Sequence, residues 1–269
     1  MNNLKKIMYG VAVALGSMVI GQAAQAALIT EWTLEATAAF VDEEPAAAVT
    51  NTGTVLSWGT PANPENQQSH LVLSDQNFVA DVNNPTAGST GVTTVTGLVT
   101  NGPAKDAATL THYNNVITGD SLTSVTIEDS VVMTPTMPAG SSLPAVEFDL
   151  FVVFEETLNA EPCANPLGDP CADIYALTNP ENLSFSFIID EYKYTVTLDL
   201  GALDNLDADD CASVGLAPGC RGFAAAEDGF TTLQTQVNVT AMRISEPAIL
   251  GLLGMSLVGI GVMRRRVRS

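Results

Sequence analysis

From residue 146 to residue 155 the chain reads Val146-Glu147-Phe148-Asp149-Leu150-Phe151-Val152-Val153-Phe154-Glu155. On an extended backbone Val146, Phe148, Leu150, Val152 and Phe154 share one side, and Glu147, Asp149 and Glu155 share the other. Alternation of this kind describes a strand with one face in a core and one in water. The pattern recurs. Leu183, Phe185, Phe187 and Ile189 alternate with Ser184, Ser186 and Asp190. After a turn at Asp190-Glu191 it resumes in Tyr192, Tyr194, Val196, Leu198 and Leu200, which predicts a hairpin. Leu233, Val237, Val239 and Ala241 face away from Thr232, Gln234, Gln236, Asn238 and Thr240. Further strands are expected at residues 55–58, 71–73, 92–100, 110–117, 125–133 and 173–177.

Short strands with Thr-rich polar faces, separated by turn signals, predict an all-β fold: an antiparallel β-sandwich of jelly-roll-like form. No segment of the body carries an apolar stripe at helical spacing, so an alternating βαβ architecture and its nucleotide-binding frames are not expected. Pro- and Asn-rich stretches at 61–66, 83–89 and 101–103 read as loops, and no internal repeat is visible. One domain with two sheets follows.

The composition agrees. At 46% hydrophobic residues the chain is too apolar for disorder, while only 15% are charged, so polarity comes from Thr, Ser, Asn and Gln. The formal charge of −20 leaves no basic face for nucleic acid.

Both ends read as addresses. Lys5-Lys6, an apolar run from Ile7 to Gly21, and Ala24-Gln25-Ala26 form the cationic flank, short greasy helix and small-residue site of a secretory signal, removed by signal peptidase before Ala27. At the other end Ser245-Glu246-Pro247 precedes an uncharged run from Ala248 to Met263, then Arg264-Arg265-Arg266-Val267-Arg268. Sixteen helical residues cover about 24 Å, short of the roughly 30 Å hydrocarbon core, and arginine stems make up part of the difference. Positive charge stays cytoplasmic, which puts the Arg cluster inside and the body outside. The expected division is therefore a signal peptide at 1–26, an all-β extracellular domain at 27–244 and a sorting signal at 245–269. Between the signals the chain carries four basic against 29 acidic residues, a charge of −25. Solvation is the plain purpose of such a surface.

This tail resembles that of bacterial PEP-CTERM proteins, the substrates of exosortase, with Ser245 at the first position of the Pro-Glu-Pro motif. The resemblance implies a Gram-negative host that makes exopolysaccharide, transient anchoring in the inner membrane, and release to the cell surface or biofilm matrix. The segment Leu110-Thr111-His112-Tyr113-Asn114 resembles the Thr-His-x-Asn signature of the THxN subset of that class, through Thr111, His112 and Asn114. That subset has no assigned activity.

Four cysteines fall in two local pairs, Cys163 with Cys171 and Cys211 with Cys220, each interval holding turn formers. Three connectivities are possible, and pairing of neighbours is the simplest. An oxidising exterior favours disulfides, and the close Cys-x-x-Cys spacing of a metal site is missing.

Catalytic and metal motifs are weak. Gly119-Asp120-Ser121-Leu122 has the letters that open one class of serine esterases, but that class needs a downstream histidine. The only histidines here, His70 and His112, lie upstream. Gly119-Asp120 is better read as a tight turn. Two histidines cannot build a three-ligand zinc site unless carboxylates help, and no His-Glu-x-x-His is present. Asp204, Asp207, Asp209 and Asp210 crowd one loop without EF-hand spacing, which describes a solvated acidic turn. Glu155 and Glu156 are adjacent and so point to opposite sides of a strand, a poor arrangement for paired-carboxylate hydrolysis. No catalytic residue, metal or cofactor is expected.

On a strand, Leu110, His112 and Asn114 point one way and Thr111 and Tyr113 the other. His112 and Asn114 are expected to hydrogen-bond across a sheet and fix a turn; a shallow sugar-binding patch is the alternative. The function expected is that of a non-enzymatic surface or matrix protein working with extracellular polysaccharide. The alternative is a carbohydrate-binding module using Trp32, Trp58, Tyr192 or Tyr194 as its aromatic platform.

Overall fold

A computed structural model describes residues 27–63, 67–157, 172–180, 183–201 and 203–244. The expected signal peptide at 1–26, Cys163, Cys171, the expected motif Ser245-Glu246-Pro247 and the Arg cluster lie outside the described residues. Among the described residues no helix is long and apolar enough to cross a membrane.

The alternating stretch Val146–Glu155 forms strand β10, one of seven strands in an antiparallel sheet. Its companions are β1 (Glu31–Glu44), β6 (Val92–Val99), β9 (Ser124–Met137), β11 (Asp173–Leu177), β14 (Asp204–Asn205) and β15 (Arg221–Ala225). Their order across the sheet is β14-β15-β11-β10-β9-β1-β6. A second seven-stranded antiparallel sheet comprises β2 (Val49–Asn51), β3 (Val55–Trp58), β5 (Ser69–Ser74), β7 (Lys105–Asn114), β12 (Ser184–Ile189), β13 (Tyr192–Asp199) and β16 (Gly229–Arg243). Its order is β12-β13-β16-β7-β5-β3-β2. Two short strands, β4 (Thr60–Pro61) and β8 (Ile117–Thr118), pair with each other.

Side-chain parity drives the association. Leu150, Val152 and Phe154 of β10 meet Trp58, Leu71 and Leu110 of the second sheet in one apolar cluster. Trp32 and Met133 of the first sheet meet Tyr194, Val196 and Val239 of the second in another. Each large side chain so buried contributes about 1.5–3 kcal/mol relative to exposure. Trp32 also satisfies its indole, donating to Thr100 Oγ1 at 2.9 Å, and stands edge-on to Tyr194 at 5.1 Å. An apolar cavity of about 280 Å³ remains between the sheets, lined by Leu73, Ile127, Phe148, Val196 and Leu233, with Asp129 in its wall.

The predicted hairpin forms as β12 and β13, with Asp190 in a left-handed turn at φ 52°. The predicted strand at 110–117 divides into β7 and β8. The acidic turn expected at residues 204–210 is instead a short helix, α1 (Ala208–Ser213). Asp207 caps it, its carboxylate accepting from the amides of Asp209 and Asp210 at 3.0 and 2.9 Å. Such a cap satisfies amide groups that the first turn leaves unpaired. Cys211 of this helix is disulfide-bonded to Cys220, tying α1 to the start of β15.

Candidate functional site

Thr111, His112 and Asn114 sit on β7, where three sequence-remote segments come to meet them. Parity turns Leu110, His112 and Asn114 toward the first sheet. Thr111 and Tyr113 face the other way, where Tyr113 packs with Val55 and Val72 beneath Phe78 and Ala80. The Tyr113 hydroxyl accepts from the Asp81 amide at 3.1 Å, and Thr111 Oγ1 lies 3.0 Å from Thr232 Oγ1. The outward face of the motif is therefore a structural surface.

The inward face meets three carboxylates. Glu156 follows the last residue of β10, Asp173 opens β11, and Glu227 lies in the turn that carries the chain from β15 in one sheet to β16 in the other. One carboxylate oxygen from each lies within 4.8 Å of the others. Asp173 is fully buried, while Glu156 and Glu227 are half-buried. The sheets are stitched at this corner. Trp58 of β3 donates its indole N–H to Glu156 Oε2 at 3.0 Å, and Asn114 Nδ2 donates to the Ala225 carbonyl at 2.8 Å. The Thr157 amide donates to Asp173 Oδ1 at 3.0 Å.

His112 is enclosed by rings. Trp58 stacks on it at 5.7 Å and 17°, and Phe154 meets it edge-on at 5.1 Å. Its Nε2 stands 3.8 Å from Asp173 Oδ2, beyond hydrogen-bond reach, and neither ring nitrogen has a partner. Burial, aided by neighbouring His70, holds His112 down to about 3, so the ring is neutral at ordinary pH. His70 is lowered too, chiefly by burial.

The carboxylates shift the opposite way. Burial raises Glu156 to about 7, with the Trp58 indole and Asp173 opposing that rise and the charge of Glu155 adding to it. Burial raises Glu227 to about 7, reinforced by the charges of Glu156 and Asp228 and opposed by the Asn114 amide. Asp173 is raised further, by burial first and by the charge of Glu156 second. No lysine or arginine among the described residues forms an ion pair with any of the three. The free oxygens Glu156 Oε1, Asp173 Oδ2 and both oxygens of Glu227 are buried without hydrogen-bond partners. Unanswered buried oxygens are costly, so the site either holds protons or accepts a cation.

The other sequence candidates stand elsewhere. Among the described residues no hydrogen bond joins Ser121 to His70 or His112, and Gly119 adopts φ +91° as a turn residue. Glu155 is exposed and points away from Glu156, as parity requires. Of the aromatic platform, Trp32, Trp58 and Tyr194 are fully buried; only Tyr192 is partly exposed. Sequence reasoning missed the grouping of Glu156, Asp173 and Glu227. The available signal was parity, since Glu156 continues the inward series that ends at Phe154 and Asp173 shares a face with Tyr175 and Leu177. No protein-family model and no curated protein matches this chain.

Proposed function

We propose that this chain is an exported, non-enzymatic protein of the bacterial cell surface or extracellular matrix, sorted by exosortase and associated with exopolysaccharide. The observation that carries the reading is the Cys211–Cys220 disulfide, because such bonds persist outside a reducing cytosol. The secretory signal before Ala27 and the tail from Ser245 to Ser269 support the same route, in which signal peptidase and exosortase are the processing partners and the inner membrane holds the chain only in passing. A Thr-faced, acidic sandwich, taken here as jelly-roll-like, suits a component that must stay soluble in a hydrated polysaccharide.

The reading is tested by deleting residues 245–269 and fractionating cells, matrix and medium. The intact chain should reach the surface or matrix with its C-terminus trimmed near Ser245, and the deletion variant should not be retained there. Full-length, reduced protein in the cytosol would overturn the reading. A carbohydrate-binding module is the competing function, and its platform now reduces to Tyr192 and its surroundings. Retention on a glycan array by the wild type, lost in Tyr192→Ala, would favour it.

A further inference from the structure

We propose that Glu156, Asp173 and Glu227 form a binding site for one hard divalent cation, Ca²⁺ being the ion that fits. The donors are three carboxylates, the ligand type that calcium prefers. Two oxygens on opposite sides of a calcium ion at about 2.4 Å are about 4.8 Å apart, so the observed spacing lets one ion touch all three.

The hydrogen bonding is divided as a metal site requires. Glu156 Oε2 is held by the Trp58 indole and Asp173 Oδ1 by the Thr157 amide, while Glu156 Oε1 and Asp173 Oδ2 accept from no protein N–H, the two carboxyls lying close enough to share a proton in the absence of an ion. Ligating carboxylates are commonly steadied in this manner through one oxygen while the other binds. Neither oxygen of Glu227 has a hydrogen-bond partner of ordinary geometry, and the Asn114 amide lies close enough to act on that side chain.

His112 supplies an independent sign that a partner is missing. It is fully buried and its ring nitrogens are unpaired. Its Nε2 is aimed at Asp173 Oδ2 from 3.8 Å, a spacing too long for a hydrogen bond, so a buried polar side chain faces the carboxylate corner unanswered. No Lys or Arg among the described residues neutralises the triad, so a cation from solution is the available counter-charge. Glu156 and Glu227 are only half-buried, so the corner lies close to the surface.

The site joins elements that otherwise belong to different sheets, because Glu156 and Asp173 belong to the first and Glu227 stands at the crossing into the second. An ion there would lock the corner in a calcium-containing exterior and leave it looser where calcium is scarce. This inference does not depend on exosortase sorting.

The test is thermal unfolding of the purified full chain at neutral pH, after chelation and then with Ca²⁺, Mn²⁺ or Zn²⁺ added alone, with calorimetry for stoichiometry. Ca²⁺ should raise the midpoint saturably, by about 5 °C at an excess of ~100-fold over Kd, with one ion per chain. Glu227→Gln and Asp173→Asn should abolish the response. Glu155→Gln, which alters the exposed neighbour, should keep it. If Asp173→Asn fails to fold, Glu227→Gln at the half-buried turn still decides. No response of the wild type to millimolar Ca²⁺ would overturn the proposal and leave protons as the occupants. A response retained in Glu227→Gln, or stabilisation by Zn²⁺ alone, would overturn it equally.

Discussion

The Asn114 side chain donates to the Ala225 carbonyl at 2.8 Å, joining the last residue of β7 in one sheet to the last residue of β15 in the other. Asn114 is fully buried, and the chain changes sheets only a few residues beyond Ala225. This one bond therefore fixes the crossing turn that carries Glu227.

Asn114→Ala should cost about 1–3 kcal/mol, because it leaves the Ala225 carbonyl without its donor in the interior. Chemical denaturation reads the loss as a lower midpoint with an unchanged slope. A variant as stable as the wild type would show that the crossing is held by other contacts.

Asp129 gives a pH dependence of known sign. It lies in the wall of the apolar cavity, and burial raises it to about 6 against a partial opposing effect of the Ser130 amide. The folded state favours the protonated acid. Its contribution is therefore present in full below pH ~4 and is lost as pH rises through about 6. Asp129→Asn cannot titrate, so its stability advantage over the wild type should grow across that window and level off above it. The difference should reach at most about 3 kcal/mol. Parallel melts of the two proteins at pH 4 and pH 7.5 measure it; a difference that stays constant would sink the assignment.

Opening the Cys211–Cys220 disulfide should cost about 2–3 kcal/mol through the entropy of the loop it closes. Cys211 is fully buried beside Ile174, Ala176 and Leu206, so the double variant Cys211→Ala with Cys220→Ala should loosen α1 and β15 first. Hydrogen exchange should locate the loss at residues 203–225. Uniform loss across both sheets would contradict it.

Gly222 on β15 lies so close to β11 that a Cβ there would collide with the Tyr175 carbonyl. A backbone oxygen in a central ladder cannot move aside cheaply. Gly222→Ala should therefore destabilise by about 2–4 kcal/mol, a value typical of overpacked buried positions. Thermal melts against the neighbouring Ala224→Gly variant separate this clash from general loss of strand propensity.

Strands whose apolar residues alternate cleanly were legible. The observed β3 and β11 coincide with the spans read from sequence, and β10 and the β12–β13 hairpin fall within a residue of theirs. Strand β1 escaped notice although, at 14 residues, it is one of the two longest in its sheet. Ala36, Ala38 and Ala39 dilute the alternation of Trp32, Leu34 and Phe40, and alanine has little preference for strands. Strand β15, Arg221-Gly222-Phe223-Ala224-Ala225, is hidden for the same reason. The orientation of His112 and Asn114 followed from parity alone. Their acidic neighbours did not, since Glu156, Asp173 and Glu227 lie on three separate segments that only sheet pairing and a crossover turn assemble. Only Asp173 and Glu156 left a trace, as acids at inward-facing positions.

The indole of Trp58, bonded to Glu156, has a further use. The chain holds two tryptophans, and the other, Trp32, spends its N–H on Thr100 in the second apolar cluster, away from the acids. One fluorophore therefore reports directly on the carboxylate corner while its twin supplies an internal baseline. Whatever enters or leaves that corner should alter the emission of the native, unlabelled protein, and Trp58→Phe should silence the signal.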